Sequence, residues 1–93
     1  MQNAASGDIQ LDAAQQRQLN KIREAEERRR KRKIEELEMQ IASLEDEIAG
    51  LEEEMARPEN ASDYQLLARL GEETASKKTA LDQVYSQWAE LES

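Results

Sequence analysis

From Ile34 to Met55 the apolar positions recur at a fixed spacing. Ile34, Leu37, Ile41, Leu44, Ile48, Leu51 and Met55 are separated by 3, 4, 3, 4, 3 and 4 residues, and nearly everything between them is polar or charged. This is a heptad pattern with Ile or Met at one core position and Leu at the other. A helix with such a stripe needs a partner helix to take it out of water. Extended towards the N terminus, the same register puts Arg30, Glu27 and Arg23 on the stripe and leaves Leu19 and Ile22 out of phase. Residues 13–33 therefore read as a partly helical, basic lead-in without a coiled-coil partner. Residues 1–12 are small and polar and carry Gly7. They read as a disordered linker or chain end, because nothing apolar offsets the entropy of ordering them. Asp12 is placed to cap a helix beginning near Ala13.

The stripe stops at Arg57-Pro58-Glu59-Asn60-Ala61-Ser62-Asp63. Pro58 disfavours helical geometry at Arg57. Ser62 with Gln65, or Asn60 with Asp63, has the spacing of a helix cap, so a second helix is expected from about Asp63. Its stripe is read as Tyr64, Leu67, Gly71, Thr74, Lys78, Leu81, Tyr85 and Trp88. A link this short makes the two helices antiparallel neighbours. The expected layers are Met55 with Leu67, Leu51 with Gly71, Ile48 with Thr74, Leu44 with Lys78, Ile41 with Leu81, Leu37 with Tyr85 and Ile34 with Trp88. Glu47 and Lys77 are expected to meet beside the seam, as are Lys33 and Leu91. The fold class is thus all-α: an antiparallel two-helix coiled-coil hairpin over 34–93, with helices at about 28–57 and 63–92, a turn at 58–62, and a monomeric state.

Composition narrows the class further. Of 93 residues, 37% are charged and 3% aromatic, which suits long helices sharing a thin seam better than a globular core. There is no Cys, and no apolar run of membrane-span or signal-peptide length is present, so a cytoplasmic location without membrane contact is expected. The net charge of −8 argues against nucleic acid as an obvious partner. The charge is uneven, however: residues 21–33 total +5 and residues 34–60 total −9.

The excess of cations lies in Arg28, Arg29, Arg30, Lys31, Arg32 and Lys33. Six consecutive cations surround a helix and suit sequence-blind phosphate contacts with RNA or DNA, which are salt-sensitive. The bland alternative is a solvated segment offset by Glu24, Glu26 and Glu27 and by Glu90 and Glu92. Leu70, Val84 and Leu91 form a second apolar face that either shields the seam or docks another domain. Tyr85 and Trp88 read as core before they read as base-stacking groups. Glu45-Asp46-Glu47 and Glu52-Glu53-Glu54 point in diverging directions on a helix and favour solubility over metal binding. With no His, no Cys and three scattered glycines, the chain offers no catalytic or phosphate-loop constellation. It is not expected to be an enzyme or to hold a cofactor.

The basic run followed by KIEELEMQIASLEDEIAGLEEEMARPENASDYQLLARLGEETASKKTALDQVYSQWAELES resembles the C-terminal coiled-coil domain of ABC-F ATPases. The resemblance covers about residues 28–93. It rests on the heptads of Ile34–Met55, the Pro58-Glu59 turn, Asp63-Tyr64, and Tyr85, Trp88 and Leu91 in that order. Gly71, Thr74 and Lys78 depart from the Leu-rich second helix of the family. The resemblance implies a parent chain with two ATP-binding cassettes and no membrane domain. It also implies a role on the ribosome, and nucleic-acid contact, rRNA or DNA, by the coiled coil. ATP and the cassette domains would belong to the parent, since no ATP-site motif is present here. Three functions are therefore carried forward: an rRNA-contacting accessory domain of a translation factor, a DNA-binding hairpin, and a protein-interaction strut docking through Leu70, Val84 and Leu91.

Overall fold

The computed structural model describes residues 12–93, so apart from Asp12 the expected disordered segment lies outside the described residues. The described chain consists of α1 (Ala13–Met55), a 3₁₀ turn (Pro58–Asn60) and α2 (Tyr64–Glu92). Of the described residues, 12–31 belong to one unit and Arg32–Ser93 to a second.

In the first unit, residues 13–31 are helical throughout. The helix starts where a reciprocal cap sets it. The backbone N–H of Gln15 donates to Asp12 Oδ1 at 2.7 Å, and the backbone N–H of Asp12 donates to Gln15 Oε1 at 3.1 Å. Two donors that helix geometry leaves without partners are thereby satisfied. Leu19 and Ile22 are 36% and 46% exposed.

The second unit is the hairpin, all-α as its heptads require. α1 ends because Pro58 holds Arg57 extended, at φ −66° and ψ 131°. Asn60 Nδ2 donates to the Glu54 carbonyl at 2.9 Å and ties the turn to the last turn of α1. Asp63 then caps α2, its Oδ1 accepting from the Leu66 backbone N–H at 3.1 Å. Between the helices the buried side chains are Leu37, Ile41, Ile48, Leu70 and Thr74, with Leu37 wholly buried.

The seam of α2 differs from the expected stripe. Leu67, Leu70, Thr74, Lys77, Leu81, Val84, Trp88 and Leu91, all buried or half-buried, continue along α2 at spacings of 3 and 4, with Leu66, Gly71 and Ala80 half-buried beside them. Tyr64 is 77% exposed, Tyr85 is 40% exposed, and Lys78 is exposed. The two stripes share Leu67, Thr74, Leu81 and Trp88 and differ in the residues between them. The structure fills those positions with the more apolar Leu70 and Val84 in place of Gly71 and Tyr85. Leu70 is buried and Val84 and Leu91 are half-buried, so the face expected to shield the seam or dock another domain is turned towards α1.

Contacts across the seam fix the register. Glu38 faces Trp88, Glu47 faces Lys77, and Met55 faces Gly71 and Thr74. The layers are therefore Ile34 with Leu91, Leu37 with Trp88, Ile41 with Val84, Leu44 with Leu81, Ile48 with Lys77, Leu51 with Thr74 and Met55 with Leu70. Relative to the expected pairing, α2 is displaced by three residues, about 4.5 Å along the helix. Tyr64 thus lies past the end of α1, in keeping with its exposure. The polar middle of the seam is also satisfied internally, since Thr74 Oγ1 donates to the Leu70 carbonyl at 2.7 Å. Lys77, with a side chain 29% exposed, runs its stem along the seam and sends its ammonium to Glu47 at 3.4 Å.

Candidate nucleic-acid interface

The candidate cations all lie on α1, where Ala, Gln, Glu, Arg and Lys give a strong helical preference. In the first unit Arg28, Arg29 and Lys31 are exposed and Arg30 is half-buried. Arg30 Nη1 donates to Glu27 Oε1 at 3.0 Å, one turn earlier. With side chains 40% and 51% exposed, such a pair contributes no more than about 1 kcal/mol. In the hairpin unit Arg32 and Lys33 are exposed. At 3.6 residues per turn, successive cations point in different directions, so the charge rings the helix and does not form one flat face. A ring of this kind engages phosphates and has no means of reading base edges.

The remainder of the hairpin has the opposite character. Glu45, Asp46, Glu47, Glu52 and Glu53 are exposed and Glu54 is half-buried. Among the described residues, no group of three or more acidic side chains is arranged to hold a metal ion. The two aromatic candidates are committed elsewhere. Trp88 is half-buried in the seam, and its Nε1 donates to Glu38 Oε2 at 3.2 Å. Tyr85 lies at the seam edge and its hydroxyl donates to Glu45 Oε2 at 2.8 Å. That hydrogen bond, then burial, then the charge of Glu45 all hold the Tyr85 phenol above its ordinary pKa.

A row of acceptors went unread in the sequence. Glu38, Glu45 and Glu52 of α1 recur every seven residues along one flank of the seam. They accept from Trp88, from Tyr85 and, at 3.1 Å, from Lys78. Glu47 takes Lys77 on the other flank, the one cross-helix ion pair that the sequence does anticipate. The seven-residue spacing of Glu38, Glu45 and Glu52, matched by that of Lys78 and Tyr85, was the signal available. It marks Lys78 and Tyr85 as flank residues, not core.

Over residues 25–93 the chain matches the family described as ABC transporter C-terminal domain. The match takes in the whole hairpin and the whole basic run. The chain belongs to this family and is an accessory C-terminal domain of an ABC protein. No curated protein and no solved structure matches it. No helix among the described residues is long and apolar enough to cross a membrane.

Proposed function

We propose that this chain is the C-terminal accessory domain of an ABC-F ATPase and that it contacts nucleic acid, ribosomal RNA in the first instance, through Arg28, Arg29, Arg30, Lys31, Arg32 and Lys33. ATP binding and hydrolysis, in the cytoplasm, belong to the cassettes of the parent chain. The observation that carries the reading is the run itself. Five of its six side chains are exposed on one helix of a chain whose net charge is −8. A cationic ring kept together in an acidic protein localises phosphate at one place, while the carboxylates of the hairpin repel it elsewhere. The ABC-F assignment rests on the family match together with the Pro58-Glu59 turn, Asp63-Tyr64 and the Tyr85, Trp88, Leu91 ending.

The test is a fluorescence titration of the chain against purified ribosomes and against duplex DNA at two salt concentrations. It is repeated with Arg28, Arg29, Arg30 and Arg32 changed to Glu. Binding to ribosomes should fall steeply with salt and disappear in the charge-reversed chain. If all six cations engage duplex DNA, the slope of log affinity on log salt should approach about −5. Tighter binding to duplex DNA than to ribosomes would move the function to DNA. Binding of neither, or binding indifferent to the charge reversal, would overturn the assignment of the run.

A further inference from the structure

The six consecutive cations ring α1, but two cations ahead of them give the helix a charged side. At about 100° per residue, Arg17, Lys21, Arg28 and Lys31 fall within an arc of about 80°. All four are exposed. They belong to one unbroken stretch of helix within the unit 12–31 and span about 21 Å along its axis. One carboxylate, Glu24, shares the arc. The far side carries Arg23, Glu26, Glu27 and Arg30, where acids offset bases and Arg30 is paired with Glu27. Among the described residues, Arg17, Lys21, Arg28 and Lys31 make no ion pair. Lys21 follows Arg17 by four positions and Lys31 follows Arg28 by three. The edge thus holds like charges side by side, which weakens a helix that has nothing anionic beside it. Arg17 and Lys21 also precede residues 25–93, so neither the basic run nor the family match accounts for them.

We propose that Arg17 and Lys21 extend the phosphate-binding site of the basic run, so that Arg17, Lys21, Arg28 and Lys31 form a straight cationic edge seated on the sugar-phosphate backbone of double-helical RNA. The edge rests on the nucleic-acid reading of residues 28–33 and adds to it two residues, an orientation of the helix and the form of the ligand. A helix is straight over this length, and its charges cannot follow a strand that wanders. A duplex offers a stiff backbone with densely and regularly spaced phosphates. Single strands are held by base stacking as well as by charge, and residues 12–31 contain no aromatic side chain on which a base could stack. The guanidinium and ammonium groups of the edge position the protein on phosphates and carry no sequence preference there. The far side, with its charges balanced, turns away from the backbone.

Fluorescence anisotropy of a labelled RNA duplex long enough to span the edge, titrated with the full chain over a range of salt, tests it; a DNA duplex of the same sequence runs in parallel. Loss of one phosphate contact lowers the magnitude of the slope of log affinity on log salt by about 1, so Arg17→Gln/Lys21→Gln should lower it by about 2. Between about 50 and 200 mM salt this variant should then lose about sixteenfold less affinity than the wild type does. A second variant, Arg17→Gln/Lys21→Gln/Leu19→Arg/Ile22→Lys, keeps the net charge but moves the two cations at least about 100° round the helix. It should stay as deficient as the first, and circular dichroism should show both as helical as the wild type. Full recovery of the slope in the second variant would overturn the proposal, because net charge and not the edge would then govern binding. Changing Arg28, Arg29, Arg30 and Arg32 to Glu separates the edge from the reading beneath it. If that reversal abolishes binding while Arg17→Gln/Lys21→Gln keeps the wild-type slope, the run stands and the edge falls. A wild type that binds ribosomes but no RNA duplex overturns the edge alone, and one that binds neither overturns both. Tighter binding to the DNA duplex than to the RNA duplex would overturn the assignment to RNA.

Discussion

Leu37 is the one large side chain of the described residues with no exposed surface, and replacing it tests the seam directly. Leu37→Ala removes two methyls and a methine carbon. At about 0.8 kcal/mol per buried carbon, the lost transfer energy is about 2.4 kcal/mol. The layer partner is Trp88, anchored by its bond to Glu38, so the indole cannot move freely into the gap. The unfilled volume then raises the loss to about 3 kcal/mol. The better helix propensity of Ala returns about 0.2 kcal/mol. A domain this small has only a few kcal/mol of stability to lose, so the folded-to-unfolded ratio should fall by about a hundredfold. The assay is urea unfolding followed by circular dichroism. Met39→Ala is the control. Met39 lies two residues away and is 73% exposed, so its loss should stay within about 0.5 kcal/mol. A loss below about 1 kcal/mol for Leu37→Ala, with an unchanged denaturant slope, would refute the placement of Leu37 in a packed layer.

Other substitutions probe the helix backbone and the seam edge. A Cβ at Gly50 would meet nothing within 4 Å, and one at Gly71 would meet only Met55 Cε, at an ordinary contact distance of 4.0 Å. Gly50→Ala and Gly71→Ala should each stabilise the hairpin by about 1 kcal/mol in the same urea assay, and a loss at either would contradict the backbone described there. Tyr85 holds its proton more tightly in the folded chain than in the unfolded one. Its contribution to stability is therefore present below the unfolded pKa of about 10 and lost as pH rises through the higher folded value. In a Tyr64→Phe background the phenolate absorbance of Tyr85 should appear with a midpoint above 10.0, and Tyr85→Phe should flatten the fall of stability in that range; a midpoint at or below 10.0 would remove the Glu45 bond.

What the sequence determined by itself was local or periodic. The heptad of Ile34–Met55 specified a helix with a stripe to hide, Pro58 stopped it, Asp12 marked where the first helix begins, and the short link made the neighbours antiparallel; the second helix begins where expected but is capped by Asp63, not by Ser62 or Asn60. These follow from backbone geometry and side-chain spacing alone, so no knowledge of the partner was needed. The family resemblance likewise rested on residues legible in order along the chain. Which face of α2 meets α1 was not legible in the same way. Leu67, Thr74, Leu81 and Trp88 belong to either stripe, and a run with an apolar or aliphatic residue at nearly every candidate position admits both. Packing decided between them. Leu70, Val84 and Leu91 are more apolar than Gly71, Lys78 and Tyr85 and face Ile34–Met55, which leaves Lys78 and Tyr85 at the edge to meet Glu52 and Glu45. The candidate cations required no such decision, because six consecutive cations point all round a helix and most of them, five here, are exposed in any register. The pairs of Glu52 with Lys78 and of Glu45 with Tyr85 did require it, since their two halves come from different helices and meet only once the register is set.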